Sequence, residues 1–125
     1  MYKIILDTNF LISALKFKIN IFSEIERICN FKYSINILDK SINELEKLIN
    51  QHKISQATLR LIKSLINAKK IKIIKTKGKY VDKILLKQKE AIIATQDKKL
   101  KQKLKNKPHI IIRQKNKLEL KCFMK

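Results

Sequence analysis

The 125-residue chain contains one glycine and one proline. So small a supply of chain-loosening residues argues against long flexible linkers. Nothing repeats at a fixed period, which argues against a solenoid. No shift in composition marks a boundary, so one domain spanning 1–125 is expected. No apolar run approaches the ~18 residues of a membrane span. The opening "MYKIILDTNFLISALKFK" has no basic lead and is interrupted by Asp7 and Asn9, unlike a signal peptide. No membrane partner and a cytoplasmic location are expected. Two cysteines, Cys29 and Cys122, and two histidines, His52 and His109, stand apart without a second ligand at metal spacing. A zinc motif is excluded, and Cys29 is expected to be a buried thiol. No RNP motif and no glycine-rich phosphate loop are present.

Acid is also scarce. Ten Asp and Glu face 30 Lys and Arg, for a formal net charge of +20. A surface of this sign favours polyanions, nucleic acid first. Hydrophobic residues make up 45% of the chain, enough for a real core.

Hydrophobic periodicity predicts strands over 2–6, 33–38, 70–75, 91–95 and 109–112. It predicts helices over 10–17, 21–31, 41–50, 55–69, 80–88 and 97–105. The tail "RQKNKLELKCF" reads equally as a short strand or a helix. Parallel strands need crossover connections, usually helical. The alternation therefore predicts an α/β fold, a three-layer α/β/α sandwich with a central parallel sheet of about five strands. Sites in such sheets lie beyond the carboxyl ends of the strands.

That rule selects four of the ten acids. Asp7 follows the first strand and Asp97 the fourth. Glu44 lies in the first turns of the helix after strand two, and Asp82 opens the helix before strand four. Two carboxylates about 4 Å apart repel by roughly 4 kcal/mol at an effective dielectric near 20. Convergence therefore calls for a proton or a cation, and oxygen ligands suit Mg²⁺ or Mn²⁺. Local explanations compete at each position. Asp97 is a good N-cap, Ser41 and Glu44 have capping-box spacing, Asp82 suits a helix dipole, and "DTN" can be a turn.

"IILDTNFLISAL", "SINELEKL", "VDKIL" and "IIATQDKKLKQKLK" together resemble a PIN domain, in order and over essentially the whole chain. The closest flavour is archaeal ribonucleases related to rRNA-processing endonucleases, with VapC-type toxins as wider relatives. "LDTNFLI" and "ATQDKKL" are the specific parts. The resemblance implies a Rossmann-like fold and a Mg²⁺- or Mn²⁺-dependent endoribonuclease that cleaves RNA by metal-activated water. It implies catalytic, metal-holding roles for Asp7, Glu44, Asp82 and Asp97, with Asn9 and Thr95 supporting the first and last. It further implies a homodimer, and an antitoxin partner if the role is that of a toxin. An rRNA-processing role would imply a ribosome-assembly partner instead.

Val81-Asp82-Lys83 carries one acid where relatives often carry two. This motivates an alternative: a non-catalytic, basic RNA-binding protein on a PIN-like scaffold. Lysines cluster at 69–79 and 98–107. Lys98 and Lys99 beside Asp97, Lys77 and Lys79 around Gly78, and Arg113 are the expected RNA contacts. A phospho-receiver domain is set aside, because it needs an acidic pair after strand one and an Asp after strand three.

Overall fold

The sequence opens on "YKIIL", whose exposed Tyr2 and Lys3 lead into a fully buried Ile4-Ile5-Leu6. Burial on both faces is the mark of a central parallel strand. A computed structural model describes residues 1–68, 70–76, 90–104 and 107–121. In chain order these form β1 (Tyr2–Leu6), α1 (Thr8–Lys16), α2 (Ile21–Ile28), β2 (Tyr33–Leu38), α3 (Asp39–Asn50) and α4 (Gln56–Asn67). Then come β3 (Lys72–Ile74), β4 (Ala91–Ala94), α5 (Lys98–Lys103), β5 (His109–Arg113) and β6 (Lys117–Lys121). The helix expected over 80–88 lies outside the described residues.

One sheet has the order β3-β2-β1-β4-β5-β6. The first five of these strands are mutually parallel, with Ile4 of β1 opposite Ile35 of β2 and Ile92 of β4. The chain thus builds outward from β1 through β2 to β3, then returns to lay β4 on the other side of β1. The winding reverses between β1 and β4. That reversal is the switch point at which open α/β sheets place ligands.

Alternation along β1 sends Ile4 and Leu6 to one face and Ile5 to the other. Ile4 and Leu6 pack with Phe10, Leu11, Ile25, Leu45 and Ile62 from α1 to α4. Ile5 and Ile93 pack with Leu38, Leu100 and Leu104 under α5. Helices on both faces give the expected three layers. Caps fix where helices begin: Asn20 accepts from Ser23 N–H at 3.1 Å, and Ser55 from Thr58 N–H at 3.3 Å. Cys29 is buried, as expected, and burial pushes its thiol up. Among the described residues no helix is long and apolar enough to cross a membrane.

The sheet has six strands where five were expected. The ambiguous tail is a strand, β6, antiparallel to β5 with Arg113 opposite Lys117 and His109 opposite Lys121. Gln114 and Lys115 take left-handed backbone (φ 55° and 58°), and Asn116 N–H closes the turn on Arg113 C=O at 3.3 Å. Two left-handed central residues match the twist of a hairpin. With one glycine in the chain, no Asn-Gly pair announces it.

The outer edge of β6 is closed by side chains. Leu118 N–H donates to Glu24 Oε1 at 2.9 Å, and Arg27 Nη2 donates to Leu118 C=O at 2.8 Å. Arg27 also holds Glu24 in a two-pronged bridge of 3.0 and 3.1 Å. This α2 pair meets Leu118 as a seventh strand would, which protects an otherwise pairing-competent edge.

Candidate active site

Asp7 leaves β1 with its N–H still bound across the sheet, to Ala94 C=O of β4 at 2.9 Å. Its extended backbone (φ −67°, ψ 148°) makes it the N-cap of α1. The side chain is only 8% exposed. A carboxylate this buried needs donors. Oδ1 accepts from Thr8 N–H and Oδ2 from the Thr95 hydroxyl, both at 2.9 Å. The N-terminal end of α1 adds favourable field.

Thr95 follows β4 and is fully buried. Its N–H donates to Ile110 C=O of β5 at 3.1 Å. Its hydroxyl donates to Asp7 and accepts from Asp97 N–H at 3.1 Å. One oxygen therefore joins the two acids that flank the switch point. Gln96 secures the same loop from the other side, accepting Ile112 N–H at 3.0 Å on its amide oxygen.

Asp97 is both a cap and a member of this junction. Its Oδ1 accepts Lys99 N–H at 2.8 Å and Leu100 N–H at 3.3 Å. Its Oδ2 accepts no hydrogen bond among the described residues. The side chain can thus hold the start of α5 and still offer an oxygen outward.

Glu44 is half-buried on α3. The capping box that the Ser41–Glu44 spacing allows, the local alternative to a site role, does not form. The helix starts two residues earlier, at Asp39, and its N-cap is Leu38, which has no side-chain bond to offer. Asn9 is exposed in the first turn of α1, with no side-chain bond among the described residues. Lys98 and Lys99 are exposed in the first turn of α5. Asp82, Lys77 and Lys79 lie outside the described residues. Arg113 stands at the same sheet edge but is already engaged. It grips Glu119 at 2.6 and 3.1 Å, and Lys121 joins at 2.8 Å. The guanidinium thus braces the β5–β6 hairpin from an exposed position.

Asp39 is the edge acid that sequence reasoning passed over. It follows β2 as directly as Asp7 follows β1. Its carboxylate accepts from Lys40 N–H at 2.9 Å, and from the Thr76 hydroxyl and N–H at 2.8 and 3.3 Å. Burial pushes its pKa up, but the Thr76 and Lys40 hydrogen bonds outweigh this and hold it below the ordinary carboxylate value. It ties the exit of β3 to the start of α3.

The donor set is all oxygen, which suits a hard divalent cation. Among the described residues two buried hydroxyls have no hydrogen-bond partner, Thr8 Oγ1 beside Asp7 and Ser41 Oγ one turn before Glu44. Both lie at this end of the sheet, so the local chemistry fits an oxygen-loving ion. Among the described residues, however, no three acids, histidines or cysteines stand close enough together to enclose one. Magnesium fits such a setting, since it is usually held by one or two carboxylates with retained waters and substrate phosphates.

Comparison with known proteins agrees with this geometry. The family model described as "PIN like domain" matches residues 4–117. The chain is 39% identical over 127 residues to Ribonuclease VapC4 of Methanocaldococcus jannaschii, covering 96% of this chain and 97% of that protein. The solved PIN domain endonuclease Utp24 superposes with a TM-score of 0.75 at 25% identity, over 98% of this chain and 93% of that one. Sequence, topology and the acids at the switch point all lead to one statement: the chain belongs to the PIN-like domain family.

Proposed function

We propose that this protein is a divalent-metal-dependent endoribonuclease acting as a single PIN-like domain. The observation that carries the reading is the Asp7–Thr95–Asp97 junction, which brings acids from β1 and β4 together where the sheet winding reverses. The ribonuclease and endonuclease named above are relatives over nearly the full chain.

Asp7, Glu44, Asp97 and Asp82 are the residues that would hold Mg²⁺ or Mn²⁺. Such an ion, when bound, would lower the pKa of a water and steady the leaving oxygen of a phosphodiester. Thr95 fixes the direction of Asp7 Oδ2, and the α5 N–H groups fix Asp97 Oδ1. Lys98 and Lys99 supply charge for the RNA backbone. Cations in a first helical turn oppose the helix dipole, by about 0.3–1 kcal/mol each. Two of them, with no acid within that turn, favour a role in substrate contact over stability.

RNA is the substrate class, and the proposed place of action is the cytoplasm. The VapC-named relative favours a toxin-type role with an antitoxin partner over a ribosome-assembly role. Co-purification of the tagged chain with the product of a neighbouring gene tests this. A homodimer is proposed and is read by sedimentation. The second reading, non-catalytic RNA binding, rests on the single acid of Val81-Asp82-Lys83. Cleavage of single-stranded RNA, with and without EDTA, separates the two. Metal-indifferent binding without cleavage would select the second.

A further inference from the structure

The opposite end of the sheet carries an aromatic, basic groove that the carboxylate site does not use. The chain has eight aromatic residues, three Tyr and five Phe. Four of them, Tyr2, Phe22, Phe31 and Tyr33, gather at the amino ends of β1 and β2. Phe22, Phe31 and Tyr33 pack against the core, and Tyr2 does not. Phe10 carries the main core, whereas Tyr2 stays 42% exposed and the other three are half-buried. Tyr2 stands opposite Tyr33 in the β1–β2 register and meets Phe31 edge-on, with centroids 5.0 Å apart. Its backbone is fixed by a bond to Lys32 C=O at 3.1 Å.

Beside these rings lies a groove of about 350 Å³, walled by Met1, Phe22, Glu26, Tyr33, Lys70 and Lys72. The Lys70 ammonium lies 5.8 Å over the Phe22 ring, which holds the charge at the groove wall. Lys70 and Lys72 are exposed at the groove against one lining acid, Glu26, while Glu90 lies beyond Lys3 at the same end of the sheet. Exposed ring, adjacent ammonium groups and open groove are the parts that bind single-stranded nucleic acid without sequence readout.

We infer that this groove, with the exposed Tyr2 ring next to its Tyr33 wall, is a second RNA-binding site, which takes a nucleobase against Tyr2 and the adjoining phosphates on Lys70 and Lys72. It rests on the reading that the protein acts on RNA. Five residue steps lead from Tyr2 to Asp7, roughly 17 Å at ~3.3 Å per step. A single strand bound at the groove is thereby tethered while another part of it reaches the carboxylates. The site extends the grip on long RNA and leaves short RNA to the carboxylate end.

The test is fluorescence anisotropy of a labelled single-stranded RNA of about 20 nucleotides, titrated in EDTA over a salt series. Lys70→Ala with Lys72→Ala should weaken binding about tenfold and lower the log–log salt slope by about 1.4. A charge-matched control, Lys47→Ala with Lys53→Ala, should do neither. Tyr2→Ala should weaken binding roughly tenfold with the salt slope unchanged, and Tyr2→Phe should restore it. Binding of an RNA of about six nucleotides should respond to none of these. The inference is overturned if the groove and control pairs behave alike, or if Tyr2→Ala binds as wild type. It is also overturned if sedimentation shows a dimer that Tyr2→Ala splits, because the groove is then covered by a second copy. If wild type cuts no RNA yet the groove variants lose binding, the groove stands and the nuclease reading falls.

Discussion

Replacing Thr95 with valine keeps the shape of the side chain and removes one oxygen. That oxygen makes two bonds in a fully buried position, to Asp7 Oδ2 at 2.9 Å and from Asp97 N–H at 3.1 Å. The first bond is charge-assisted, worth about 1.5–3 kcal/mol net, and the second leaves an N–H short of an acceptor, at about 1–3 kcal/mol. The methyl that replaces it faces the Asp7 carboxylate and the Asp97 N–H, so it returns little of this. The expected loss is about 3 kcal/mol, which for a chain of this length is a Tm lowered by roughly 10 °C. Thr95→Ser keeps the oxygen and loses only a methyl, at about 1 kcal/mol. Urea unfolding of the three proteins measures the difference. RNA cleavage should fall with Thr95→Val even under conditions where it remains folded, and persist in Thr95→Ser. A valine variant within about 0.5 kcal/mol of wild type, or a serine variant equally damaged, would refute the junction as the organiser of the site.

Lys98→Ala with Lys99→Ala should reduce the log–log salt slope of single-stranded RNA binding by about 1.4 while leaving the melting temperature unchanged or slightly raised; an unchanged slope removes these lysines from the interface. Glu24→Ala should leave Leu118 N–H unpaired, cost about 1–2 kcal/mol, and open the β6 edge. Light scattering across a concentration series should then show self-association, and a variant that stays dispersed and fully stable argues against the edge-closing role. Glu119 is held from its ordinary 4.5 down to about 2, chiefly by its Arg113 hydrogen bond and then by Lys121. A carboxyl depressed in the folded state contributes stability above the ordinary value and loses it on acidification. The contribution of this surface cluster should therefore fade between pH 4.5 and about 2, and Glu119→Gln should flatten urea midpoints over that window.

The parallel strands were legible because they are near-continuous Ile and Leu runs between amphipathic stretches, as in "KIIL" and "AIIA". β6 was not legible. Its sequence "KLELK" alternates apolar with charged residues, as a half-exposed edge does, and its turn uses Gln114 and Lys115 in left-handed backbone without glycine. The Arg113–Glu119 pair exists only once that hairpin forms, so spacing alone could not announce it. Asp7 and Asp97 were found by applying the strand-end rule, and the same rule applied evenly would have found Asp39. The Ser41–Glu44 spacing misled because a capping box matters only at a helix start, and α3 begins at Asp39. That Thr95 joins the two acids through a single hydroxyl could not be read from spacing. It depends on the β1–β4 register, which puts Leu6 opposite Ala94.

The most direct test of the central claim is the cleavage rate of a labelled single-stranded RNA, with wild type and Asp97→Asn compared in EDTA and as Mg²⁺ or Mn²⁺ is returned. Wild type should be silent in EDTA and recover with the metal. Asp97→Asn should bind the RNA as before and cut it at least about 100-fold more slowly at every metal concentration, as expected when a ligand to a catalytic ion is lost. Equal cutting in EDTA, or full activity of Asp97→Asn, would contradict a metal-dependent site at the β1–β4 junction.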